Sequence, residues 1–123
     1  MRKYLLHVLI ISFVFLLAPA IQVASYADEK RLEDAKEEVR KNPDDAEVHY
    51  NLGYAYGESG RYQEAIESYK QAIRIDPDYA LAHYNLGLAY HYSNDRDSAI
   101  DQYKILKKLD TELANELFDL IYE

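Results

Sequence analysis

A 34-residue recurrence constrains this chain more than any other feature. Residues Ala46 to Tyr79 repeat as Ala80 to Leu113, and the unbroken run His49-Tyr50-Asn51-Leu52-Gly53 returns as His83-Tyr84-Asn85-Leu86-Gly87. With Ala46/Ala80, Ala55/Ala89, Tyr56/Tyr90, Ser59/Ser93, Ala65/Ala99, Ile66/Ile100, Tyr69/Tyr103, Lys70/Lys104 and Asp76/Asp110, the two copies share 14 identities in 34 positions. Self-similarity at a fixed period of this size marks a stack of supersecondary units, each unable to bury its own apolar face alone. Each copy is therefore one structural unit rather than one domain.

Within each copy the apolar residues recur at helical spacing, and no stretch alternates as a strand would. Ala46 to Ser59 reads as a first helix, with Asp44 or Asp45 placed to cap it and Gly60 free to turn the chain. A second helix runs from Arg61 or Tyr62 to Ile75 and closes at Asp76-Pro77-Asp78. The second copy repeats the plan from about Tyr79 to Ser93 and from Arg96 to Leu109, with a turn at Asn94-Asp95. A last helix, Thr111 to Tyr122, sets Leu113, Leu117, Leu120 and Ile121 on one face. Before the first copy, Leu32, Ala35 and Val39 give Asp28 to Lys41 a narrow apolar stripe.

The spacing of Leu52, Gly53, Tyr56, Ala65, Tyr69, Ala72 and Pro77, and of Leu86, Gly87, Tyr90, Ala99 and Tyr103, resembles the tetratricopeptide repeat. The resemblance covers Ala46 to Leu113. It implies an all-α solenoid of antiparallel helix pairs, with Gly53, Gly87 and the alanines small where the two helices of a repeat approach closely. It also implies that the first helix of each repeat lines a concave, peptide-binding face. Two departures bear on packing. His49 and His83 stand where a large apolar residue is usual, which makes those places more polar. Leu106 replaces a small residue and Thr111 replaces the proline, so repeat two is expected to run less sharply into the final helix.

The domain plan is thus residues 1–27 as an export segment, 28–45 as an N-terminal capping helix and turn, 46–79 and 80–113 as the two repeats, and 111–123 as a C-terminal capping helix. The export reading rests on Arg2-Lys3, the apolar run Leu5 to Leu17, and small residues ending in Ser25-Tyr26-Ala27, the three parts of a secretory signal. Cleavage is expected after Ala27, giving an exported, periplasmic or secreted protein. The alternative is a membrane anchor formed by residues 5–24.

The chain has 123 residues, a net charge of -8 and no cysteine. All 22 acids lie at or after Asp28, against 12 of the 14 bases, so residues 28–123 carry about -10. Such a surface disfavours nucleic acid, whose binding draws on Lys and Arg neutralising phosphate. Disulfides, thiolate metal sites and cysteine nucleophiles are excluded outright. His49, His83 and His91 lack the convergent partners a zinc site needs, and Asp95, Asp97 and Asp101 lack the Gly and Glu of a calcium loop. With no phosphate loop or nucleophile elbow either, the chain reads as a non-enzyme without cofactor.

The candidate binding stripe is Glu47, Tyr50, Asn51, Tyr54 and Glu58 on the first repeat. Its counterparts are Leu81, Tyr84, Asn85, Leu88 and Tyr92 on the second. Aromatic surface with two amides suits an extended peptide or partner helix. The family's clamp for acidic chaperone tails needs bases where this stripe has tyrosines, Leu and Glu, so the partner is expected to be basic or apolar. Membrane contact follows only if the N-terminal segment is retained. The alternative function is self-association, or a structural place in an envelope or secretion assembly.

Overall fold

The computed structural model describes residues 2–123, with side chains described for all of these except residues 2, 3, 11 and 14–20. Six α-helices make up the described chain: α1 (Arg2–Lys41), α2 (Ala46–Glu58), α3 (Tyr62–Ile75), α4 (Ala80–Tyr92), α5 (Arg96–Leu109) and α6 (Thr111–Tyr122). By internal contacts the chain divides into two units, Met1–Arg31 and Leu32–Glu123.

The first unit is helical, and its described large apolar side chains, among them Leu5, Leu9, Phe13 and Val23, are exposed. The helix expected to start at Asp28 starts instead at Arg2. The export reading turns partly on side chains 2, 3, 11 and 14–20, which lie outside the described residues. No helix among the described residues is long and apolar enough to cross a membrane.

In the second unit the repeat period is visible in each junction. The N-cap of α2 is Asp45, whose carboxylate accepts from the Glu47 amide at 2.9 Å. Gly60 (φ 71°) and Asn94 (φ 61°) occupy the same repeat position, and both take the left-handed conformation that turns a first helix into a second. Ahead of each turn a serine hydroxyl donates back four residues, Ser59 to the Ala55 carbonyl and Ser93 to that of Ala89.

The histidines also recur in role. His49 Nε2 donates to the Pro43 carbonyl and His83 Nε2 to the Pro77 carbonyl, each at 2.8 Å and each six residues back. The imidazole thus ties the turn that enters a repeat to that repeat's first helix. His83 is buried, and its Nδ1 lies 2.8 Å from the side-chain amide of Gln102, so the polarity expected at these positions is taken up in hydrogen bonds.

The junction after repeat two differs from expectation. Four residues separate α3 from α4, whereas Asp110 alone separates α5 from α6. It ends α5 with its own N–H on the Leu106 carbonyl and begins α6 by accepting from the Glu112 and Leu113 amides at 3.0 and 3.1 Å. The substitution of Thr111 for proline therefore goes with a sharper break than expected, because one carboxylate caps the new helix at once.

The core lies in two clusters. Ala65, Ile66, Tyr69, Leu86 and Ala89 join α3 to α4, with Tyr50, Tyr56 and Tyr90 packed around them. Ala99, Leu106, Ala114, Leu117 and Ile121 join α5 to α6, against Tyr84, Leu88, Tyr90 and Tyr103. Tyr90 touches both. At the N-terminal side Leu32 is buried, with Ala35 and Val39 half-buried.

The two repeat glycines do not face equivalent neighbours. A Cβ on Gly53 would stand 2.7 Å from the Tyr69 ring of its own repeat, as the close approach of paired helices requires. On Gly87 it would stand 2.5 Å from Leu117 of α6 and 3.3 Å from Gln102 of α5. Both glycines thus lie where helices approach closely, but the side chain that fills the space differs between the repeats. Tyr103, the counterpart of Tyr69, instead lies 5.3 Å from the ring of Phe118, and Leu117 takes the space over Gly87.

Candidate functional site

Between the C-terminal halves of α2 and α4 lies an open groove of about 430 Å³. Of the stripe read from the sequence, it gathers Tyr54, Glu58, Asn85, Leu88 and Tyr92. It adds Gly57, Tyr62, Tyr69 and Ala89, which the stripe did not include. Tyr54 and Tyr92 are 44% and 54% exposed, leaving a large part of each ring to a guest. Tyr62 reaches in from the first turn of α3 and stacks on Tyr92, the rings 5.4 Å apart and 23° from parallel.

The other members of the stripe lie outside the groove lining. Tyr50 is half-buried, its ring 5.8 Å from that of Tyr69 and 5.1 Å from that of Tyr79. Its hydroxyl accepts from Asn85 Nδ2 at 3.0 Å, a bond that ties α2 to α4. Tyr50 is thus chiefly scaffold, and one of Asn85's two N–H groups is committed to it. Tyr84 and Leu88 pack against the second core cluster, and Tyr84 faces the Glu116 carboxylate of α6. Glu47, Asn51 and Leu81 are exposed but do not line the groove.

Charge is sorted between the two helices of each repeat. The helices α2, α4 and α6 hold Glu47, Glu58, Glu112, Glu116 and Asp119 and no Lys or Arg. The bases of the repeats sit on α3, on α5 and at the turn before α3, where acids of the same segment or aromatic rings occupy most of them. Arg61 pairs with Glu64, Lys70 with Glu67 and Lys104 with Asp101, while Arg96 lies over Tyr122 and Lys107 over Tyr103. The first helices therefore present carboxylates, amides and aromatic rings without a Lys or Arg among them. No three His, Asp or Glu side chains converge as a metal site among the described residues.

Four phenols are held neutral more firmly than a free tyrosine. Burial is the main cause for Tyr69, Tyr50, Tyr79 and Tyr84, and nearby acids add to it, Glu58 for Tyr69 and Glu116 for Tyr84. In each case the folded state raises the pKa above the ordinary 10.0, so the stabilisation is complete below that value. It is lost as pH rises beyond it, because the unfolded chain then releases protons that the folded chain retains. In an alkaline titration, loss of helical circular dichroism and the appearance of these tyrosinates at ~295 nm should coincide. Full ionisation of all 13 tyrosines before helix is lost would contradict the burial.

Fold and groove together define a short helical-repeat protein with an open groove lined mainly by its first helices. Family profiles described as tetratricopeptide repeat match residues 35–67 and 80–112, and one described as TPR repeat matches residues 55–94. Together they run without a gap from 35 to 112, and the chain belongs to the tetratricopeptide-repeat family, whose repeats are protein-interaction modules. Among solved structures it is similar to the second TPR domain of human RPAP3 in complex with the HSP70 peptide SGPTIEEVD. That match has 20% identity and a TM-score of 0.73 over 82% of this chain and 86% of that one. The TPR2B domain of yeast Sti1 in complex with pHsp70 matches at 22% identity and TM-score 0.72, over 81% and 84%. The TPR domain of Sgt2 from Aspergillus fumigatus matches at 20% and 0.72, over 84% and 71%. At these identities the likeness establishes the fold. No curated protein shows a significant match.

Proposed function

We propose that this chain is a non-enzymatic adaptor that holds an extended peptide or partner helix along the concave face. The observation that carries the reading is the groove of exposed tyrosines between two first helices that bear no Lys or Arg. Two of the similar structures are complexes with Hsp70 peptides, one of them the acidic SGPTIEEVD, which supports peptide binding as the general mode. An acidic tail is a poor guest here, since α2 and α4 carry no Lys or Arg to pair with it and α2 adds Glu47 and Glu58. A basic or apolar segment suits the surface better. The export segment at residues 1–27 is kept as a proposal that would put this adaptor outside the cytoplasmic membrane.

The test is selection of peptides from a displayed random library on the full chain, followed by titration of the selected sequences. Tyr54→Ala with Tyr92→Ala should weaken them about ten-fold or more while the thermal midpoint moves by only a few degrees, because both rings are half in solvent. Unchanged affinity in that variant would move the site elsewhere.

Self-association is the second reading, and the end of the stack favours it. Phe118 and Tyr122 are 39% and 50% exposed on α6, their rings 4.4 Å apart. Light scattering over a concentration series separates the readings: a stable dimer supports self-association, and a strict monomer the adaptor.

A further inference from the structure

The floor of the groove holds a polar group that the fold leaves unused. Tyr69 is 3% exposed, yet its hydroxyl has no hydrogen-bond partner among the described residues. Because no fully buried side-chain oxygen is left unpaired, that hydroxyl must reach the groove it lines. Gly57 keeps the way open, since even a Cβ there would sit 3.8 Å from the Tyr69 oxygen. A phenol hydroxyl that opens into the groove can donate to or accept from a bound guest.

The other groups around it share one chemistry. Glu58 at the rim is a carboxylate and accepts only. Asn85 donates one N–H to Tyr50 and keeps its carbonyl oxygen as an acceptor beside its second N–H. Tyr54, Tyr62 and Tyr92 offer ring faces, whose quadrupole attracts cations. An anion would meet Glu58 at the rim, with Glu47 on the same helix and no Lys or Arg on α2 or α4 to balance them, and a purely aliphatic group would leave the phenol and the amide unpaired. A planar cation with several donors satisfies all of them, stacking on the rings and forking onto a carboxylate.

We infer that the groove is a subsite for an arginine side chain on an extended peptide, with Glu58 as the carboxylate partner, Tyr54 and Tyr92 as stacking faces and Tyr69 as the hydroxyl at the floor. This rests on the peptide-binding reading and adds the residue that is read. Lysine fits less well, because its ammonium is a compact, strongly hydrated point that neither stacks nor forks.

The experiment uses the full chain and four capped pentapeptides of alanine that differ only at the centre, carrying arginine, lysine, leucine or glutamate, titrated by nuclear magnetic resonance. The arginine peptide should bind about ten-fold more tightly than the leucine and glutamate peptides and at least about three-fold more tightly than the lysine one. Glu58→Gln and Tyr69→Phe should each lower arginine-peptide affinity by about five-fold or more and leave the leucine peptide unchanged. Gly57→Ala should weaken the arginine peptide while raising the thermal midpoint, because it adds a helix former and narrows the floor. Lysine or leucine binding as tightly as arginine overturns the assignment, and so does an arginine affinity indifferent to Glu58→Gln and Tyr69→Phe. If library-selected peptides bind through the groove without arginine, this inference fails and the adaptor reading stands. If neither pentapeptides nor any library sequence binds, the adaptor reading itself fails.

Discussion

Alanine in place of Gly53 is expected to destabilise the protein by on the order of 2 kcal/mol, despite being the better helix former. The new methyl would lie 2.7 Å from Cδ1 and Cε1 of Tyr69 and 3.1 Å from Cζ. A ring is a stiff neighbour, and this one is boxed in by Ala65, Ile66, Leu86 and Ala89, with Tyr50 packed alongside. It can retreat only by moving α3 away from α2. Overpacking of this kind costs about 3 kcal/mol, and the helix propensity of alanine over glycine returns only about 1 kcal/mol. For a unit of this size the thermal midpoint should fall by about 10 °C. Shortening the ring should relieve the clash, so Gly53→Ala combined with Tyr69→Leu should be more stable than the sum of the single effects predicts. A midpoint for Gly53→Ala at or above that of the unaltered protein would show that the helices are not held at this distance. Gly57→Ala is the internal control, since the same chemical change one helical turn later meets nothing closer than 3.8 Å.

The pair of glycines also shows how far the sequence could be read. Identical letters at the repeat period established two helix pairs, because periodicity records which face of each helix is buried. They did not establish what lies opposite. Gly53 and Gly87 stand in the same run His-Tyr-Asn-Leu-Gly, yet one accommodates Tyr69 and the other Leu117. Position in the stack decides this: one first helix is followed by a full repeat, and the other by α6, whose side chains follow no repeat pattern. The groove lining was legible to a similar depth. Counting three and four along α2 and α4 found Tyr54, Leu88 and Tyr92, but placed Tyr50 with them although its ring is wedged between Tyr69 and Tyr79. Tyr62 is hidden because its repeat counterpart is Arg96, and Tyr69 because its ring lies on the packing face. A hydroxyl can be buried by its own ring and still open to a groove, and no spacing rule reports that.

Removing residues 112–123 is expected to abolish cooperative unfolding altogether. Three of the five buried members of the second core cluster, Ala114, Leu117 and Ile121, belong to α6. Leu117 and Leu106 are the largest fully buried side chains among the described residues, and the first would be lost while the second lost its cover. At about 1.5–3 kcal/mol for each large apolar side chain buried, Leu117, Ile121 and the half-buried Leu113 together account for roughly 5–8 kcal/mol. That is comparable to the whole stability of a small domain, about 5–15 kcal/mol. Stability in a repeat stack is a sum of weak units and the interfaces between them, so the loss falls first on α4 and α5 and then on repeat one, whose α3 packs on α4. The truncated chain should therefore melt over a broad range, with amides of α4 and α5 exchanging faster than those of α3. Leu117→Ala should act differently. It leaves a cavity costing about 2–5 kcal/mol, yet keeps Ala114, Ile121 and the Asp110 cap, so the transition should move to lower temperature and stay sharp. A sharp transition in the truncated chain near the original midpoint would mean that α6 is an appendage to the stack and not the cover of its second repeat.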